Sequence, residues 1–161
     1  MLKNVARKRS PDAQQSLADS INLEHGAGFL LRVASARANA FFEELTGQTE
    51  ITPQQYGTLL ILHQRGTLTP SELADAIHTD RSTAGEIVRR MVDRGLVKLD
   101  KSGTDGRSKK VNITAAGEAA LRRLAPGGVG VQDALLAQVP PKHRAAFMRY
   151  LTLVAFGTVS A

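Results

Sequence analysis

A mainly α-helical chain with one small β-hairpin is the fold class this sequence predicts, an α+β arrangement in which helices dominate. Three observations carry that expectation. Apolar residues recur at helical spacing in several segments of the 161-residue chain. Two helix starts share one signature, Thr-Pro-x-Gln/Glu, at Thr52–Gln55 and at Thr69–Glu72. After Gly95 the apolar period changes from helical to two, in two short runs separated by turn residues. Length and composition allow such a fold: 161 residues suit about one domain, and 42% hydrophobic residues is ordinary for a globular protein.

Residues 1–20 are polar, carry Ser10-Pro11-Asp12, and read as a flexible basic arm. From about Ile21 to Leu45 a long helix is expected, because Leu23, Leu30, Val33, Ala34, Phe41 and Leu45 share a face. Arg32, Arg37, Glu43 and Glu44 form its polar side, and Thr46-Gly47-Gln48 ends it. Thr52 then caps a helix whose apolar positions include Leu59, Leu60 and Leu62, closing near Arg65-Gly66. Thr69 caps a short helix through Leu73, Ala74 and Ile77. Thr79 or Asp80 caps the next, from about Arg81 to Arg94, with Gly95 as its terminating glycine. Two short helices across so short a turn form a helix-turn-helix. Val97 and Leu99 alternate with Lys98 and Asp100, and Val111 and Ile113 alternate with Lys110 and Asn112. Ser102 to Ser108 between them is turn chemistry, so a hairpin with a basic tip follows. Thr114 caps a helix from Ala115 to Leu124, which Ala125-Pro126-Gly127-Gly128 is expected to break or kink. Helix resumes from Val131 to Val139. Pro140-Pro141 opens a last one with Phe147, Tyr150, Leu151 and Val154 on one side.

The charge is placed unevenly. The chain carries a net +6. Between Arg81 and Lys110 stand nine Lys or Arg against four Asp or Glu, a net +5 in thirty residues. Lys3, Arg7, Lys8 and Arg9 add a basic N-terminus. Such clustering suits a polyanionic partner. With no cysteine there is no disulfide, thiolate chemistry or Cys-ligated metal. No apolar run reaches membrane-spanning length, and the basic N-terminus lacks the apolar stretch of a secretory signal. A cytoplasmic protein with no membrane partner is expected. Gly127-Gly128-Val129-Gly130 lacks the Lys-Ser/Thr of a phosphate loop. His25, His63, His78 and His143 show no metal-helix spacing, and no carboxylate pair stands out as catalytic. The expectation is therefore no enzyme, no metal and no resident cofactor.

On a helical wheel of 81–94, Ala84, Ile87, Val88 and Met91 form the core stripe. Ser82, Gly85, Glu86, Arg89 and Asp93 lie opposite, with Thr83 and Arg90 on the flanks. A helix in the major groove meets base edges with its N-terminal half. Small Ser82, Thr83 and Gly85 permit close approach. Arg89 can reach a guanine edge or a phosphate. Glu86 can accept from cytosine N4, or hold Arg89 or Arg90 in place.

The capped pair, the stretch SELADAIHTDRSTAGEIVRRMVDRGLV and the hairpin SGTDGRSKKVNITAAGEAAL resemble the MarR family of bacterial winged helix-turn-helix regulators, in register over roughly residues 23–125. The resemblance implies a homodimer on a pseudo-palindromic double-stranded DNA operator, usually as a repressor. It implies a dimerisation helix over 21–50, a winged helix-turn-helix domain over 51–113 and C-terminal dimerisation helices over 114–161. Arg107 at the wing tip would enter the minor groove, with Asp105 orienting it. Ser71, Arg81, Ser82, Thr83, Glu86, Arg89, Arg90 and Lys109 complete the expected DNA-contacting set. Relatives respond to cysteine oxidation or to small aromatic acids. The absence of cysteine leaves the second, with His25, Arg32, Tyr56 and His63 as candidate ligand residues for a hydroxylated benzoate or nicotinate. The alternative is a ligand-independent, architectural or constitutive DNA-binding protein.

Overall fold

The computed structural model describes residues 19–20, 22–47, 49–102 and 108–157. The basic arm, apart from Asp19 and Ser20, and the wing tip with Asp105 and Arg107 lie outside the described residues. The elements with described bounds are α1 (Ala27–Thr46), α2 (Pro53–Arg65), α3 (Pro70–Ala76), α4 (Arg81–Asp93), β1 (Val97–Ser102), β2 (Ser108–Ile113), α5 (Ala115–Ala137) and α6 (Arg144–Phe156). Two compact units divide them, one over residues 39–133 and one from residues 1–38 with 134–161.

The 39–133 unit has a continuous apolar core. Leu59 and Leu62 of α2, Leu73 of α3, Met91 of α4, and Val97 and Val111 of the hairpin are almost fully excluded from water. Leu121 and Leu124 of α5 complete the cluster. Both predicted capping boxes form. Thr52 accepts from the Gln55 amide while the Gln55 side chain accepts from the Thr52 amide. Thr69 and Glu72 repeat the exchange at the start of α3. Asp80 caps α4, accepting from the Thr83 amide at 2.9 Å. Gly95 adopts φ 67°, the left-handed conformation its place after α4 requires. The strands pair antiparallel, Val97 with Ile113 and Leu99 with Val111. Leu68 bridges to Val111 through two backbone hydrogen bonds, fixing β2 beside the α2–α3 connection.

In the other unit a 3-10 turn covers Leu23–His25, and a second one covers Pro141–His143 before α6. No residue of α6 is buried. Phe147, Tyr150, Leu153 and Val154 are exposed, as are Leu30 and Val33 of α1.

The structure corrects three expectations and departs from simple strand alternation at Leu99. The first helix begins at Ala27, six residues later than its apolar pattern. Gly26 is extended (φ −72°, ψ 126°) and separates the Leu23–His25 turn from α1. The last helix starts at Arg144 rather than at Pro140-Pro141. Strand alternation would bury Leu99 with Val97, yet Leu99 is 40% exposed and Val97 2%. Of the break or kink expected at Pro126, the break is absent: the helix is continuous from Ala115 to Ala137. Pro126 stands on its exposed side, as does Arg122, whose carbonyl loses its donor. The adjacent glycines serve packing. A Cβ on Gly127 would lie 2.6 Å from Thr46 Cγ2 of α1, and one on Gly128 would overlap the Tyr56 hydroxyl of α2. Their sequence looks like a helix breaker, but their absent side chains admit the neighbouring helices.

Candidate nucleic-acid interface

Helix α4 is held from one side and open on the other. Ala84, Val88 and Met91 are buried and Ile87 half-buried, as the wheel predicts. Arg81, Ser82, Thr83, Gly85, Glu86, Arg89 and Arg90 are all exposed. Nothing lies within 4 Å of a Cβ built on Gly85. No packing inside the molecule requires a glycine there, and its lack of side chain leaves the backbone approachable. Two shallow pockets flank the helix. One, of about 270 Å³, lies between α4 and the start of α2 and is lined by Thr52, Gln54, Ser82, Thr83, Glu86 and Arg90. The other, of about 220 Å³, lies between α4 and the hairpin and includes Pro70, Gly85, Arg89, Asp93, Leu99 and Lys109. Ser71 is half-buried on α3 and Lys109 exposed on β2.

Hydrogen bonds set the electrostatics of this face. The Thr83 hydroxyl donates to Asp80 at 2.6 Å. Donation from the Thr83 hydroxyl and amide holds the Asp80 carboxyl below its ordinary value of 3.8. Arg89 donates from Nη2 to Glu86 Oε2 at 2.8 Å and from Nε to Oε1 at 3.4 Å. Its Nη1 reaches Asp93 Oδ2 at 3.5 Å. The Arg89 hydrogen bond lowers the Glu86 pKa, and Glu86 in return raises that of Arg89. Of the two roles open to Glu86, holding a guanidinium is the one seen in the free protein, and the guanidinium is that of Arg89.

Sequence reasoning left two contributors out of the candidate set. Asp93 stands four residues after Arg89, a spacing that itself signals a helical ion pair. Arg94, just past α4, donates to the Glu50 carbonyl at 2.7 Å and pairs with its carboxylate at 3.0 Å. That tie anchors the end of α4 to the segment before α2. It spans 44 residues, and no local spacing announces it.

The four ligand candidates fall two to each unit. His25 is exposed in its 3-10 turn, and Arg32 is exposed with its guanidinium 5.0 Å over the Phe29 ring. Both belong to one unit, while Tyr56 and His63 belong to the other. Tyr56 is half-buried with its ring 5.3 Å from that of Phe42, and burial raises its pKa. His63 places Nδ1 2.9 Å from Glu118 Oε1.

Comparison with known proteins decides the family. The MarR family model matches residues 49–108, which span the capped pair and the first strand. The organic hydroperoxide resistance transcriptional regulator of Bacillus subtilis is 30% identical over 99 residues, 62% of this chain and 67% of that protein. The chain belongs to the MarR family. The HTH-type transcriptional repressor NicR of Pseudomonas putida is 26% identical over 147 residues, covering 91% of this chain and 93% of its own length. Among solved structures, the PcaV transcriptional regulator of Streptomyces coelicolor in complex with its natural ligand superposes with a TM-score of 0.77 at 26% identity, over 84% of this chain and 96% of PcaV. This MarR chain therefore has the winged helix-turn-helix fold that its sequence resemblance implied, and its relatives are transcriptional regulators.

Proposed function

We propose that this protein is a dimeric, sequence-specific repressor of transcription that a small aromatic acid releases from double-stranded DNA. The observation that carries the DNA reading is the open face of α4. Its inner side is fixed in the core, and its outer side offers Ser82, Thr83 and an unfilled Gly85 to the major groove. Arg81 and Arg90 supply charge for phosphates, with Ser71 and Lys109 beside them. Arg107 is assigned the minor groove, with Asp105 orienting it, on the family resemblance. The protein binds rather than catalyses, and it acts in the cytoplasm, where the DNA is.

Two observations support the rest. The exposed apolar residues of α1 and α6 have no cover among the described residues, and a second copy is the cover we propose. A small-molecule effector is assigned because there is no cysteine to oxidise and because PcaV, at 26% identity, was solved with a natural ligand; that it is an aromatic acid rests on the family resemblance. His25, Arg32, Tyr56 and His63 remain the candidate ligand residues.

The test is a thermal-shift screen with hydroxybenzoates and hydroxynicotinates, followed by gel shift on the promoter region beside the gene. A ligand that binds only the folded protein adds about 2.7 kcal/mol at a hundred times its Kd. The expected result is a raised melting temperature with one acid and loss of the shifted band in its presence. Specific DNA binding that no acid alters would return the reading to a constitutive DNA-binding protein.

A further inference from the structure

The interaction that singles out α4 is the three-residue set Glu86, Arg89 and Asp93. An arginine side chain has five N–H donors in one plane. Glu86 engages Nε and Nη2 from the side. Asp93 takes Nη1 from the other side. By count, two of the five donors are left, one on each terminal nitrogen. A pair of N–H groups on the two terminal nitrogens is the fork that matches O6 and N7 of guanine in the major groove. All three side chains are more than half exposed, so their pairing contributes little to folding.

Charge separates base from phosphate. A phosphate contact gains affinity by releasing counterions from the duplex. Arg89 sits between two carboxylates, so its stripe carries a net negative charge and would bring repulsion to a phosphate. Arg81 and Arg90 have no ion-pair partner among the described residues and lie off that stripe. They suit phosphates, and Arg89 suits a base edge. Resting on the DNA-binding reading above, we propose that α4 reads one guanine through Arg89, with Glu86 and Asp93 as the residues that position it.

The experiment uses the full chain and a duplex enriched from a randomised pool. Wild type is expected to enrich a guanine at one position of each half-site. Arg89→Ala should lower preference for that guanine about tenfold and leave the salt dependence of Kd unchanged. Arg89→Lys keeps the charge without the fork, and should lose the preference equally. Glu86→Gln should weaken preference at the same position while raising affinity for unrelated duplex. Arg90→Ala should reduce the salt slope by about 1 and keep the preference. Unchanged melting temperatures would show that each variant folds. An Arg89→Ala protein that loses about 1 from its salt slope and keeps the guanine overturns the proposal, and so does full rescue by Arg89→Lys. A wild type that enriches no sequence overturns the sequence-specific reading above instead.

Discussion

Gly128 and Asp80 are single residues whose chemistry can be read out directly. A methyl group at position 128 has to share space with the Tyr56 hydroxyl. Gly128→Ala should therefore destabilise the protein by about 1–3 kcal/mol through overpacking. Tyr56→Phe removes the oxygen in the way, and the double variant should recover part of the loss, measured as a coupling in urea unfolding. A Gly128→Ala protein as stable as wild type would show that the helices simply part. Asp80 concerns pH. Its carboxyl is held low by hydrogen bonds from Thr83, so it binds protons more weakly folded than unfolded. Its contribution is complete above its ordinary 3.8 and is lost as pH falls through the lower folded value. Asp80→Asn keeps a capping oxygen that does not titrate. Wild type should exceed this variant in stability at pH 7, and the difference should shrink as pH drops below 3.8. A constant difference across that range would assign the cap no proton linkage.

At the scale of elements, the chain is legible where the controlling atoms are close in sequence. Thr52-Pro53 and Thr69-Pro70 mark helix starts because a hydroxyl and a side chain three residues on satisfy the first amides. Gly95 marks a helix end through its own φ. The exposed stripe of α4 follows from spacing alone, because its buried stripe does. Legibility fails where the deciding partner is distant. Pro126 reads as a stop until Leu45, Thr46 and Tyr56 are seen filling the space beside Gly127 and Gly128. Leu99 reads as buried by alternation, yet its place in the hairpin leaves it open. Asp93 was within reach of a spacing argument, whereas Arg94 and Glu50 were not. The hairpin also carries an expectation of its own. Arg107→Ala should weaken operator binding strongly at about 150 mM salt, with the fold unchanged. Unaltered affinity in an anisotropy titration would remove Arg107 from the interface.

For the whole molecule, the question is where the uncovered apolar residues go. Phe147, Tyr150 and Val154 are all exposed along α6 at helical spacing, the kind of apolar stripe that marks an interaction surface. Deleting residues 140–161 should leave a chain that sediments as a monomer and binds its operator weakly, since two half-sites would no longer be engaged together. A truncated protein that still sediments as a dimer would move the interface elsewhere.

The two capping boxes are copies of one device that differ in the residue closing the box. Gln55 closes the first and has no proton to gain. Glu72 closes the second, and donation from the Thr69 backbone holds its carboxyl low. The molecule thus contains its own control experiment. Only as pH falls below the ordinary carboxylate value of 4.5 does one helix start take up a proton while its twin stays blind, so spectroscopic divergence between the two traces back to one atom's worth of chemistry.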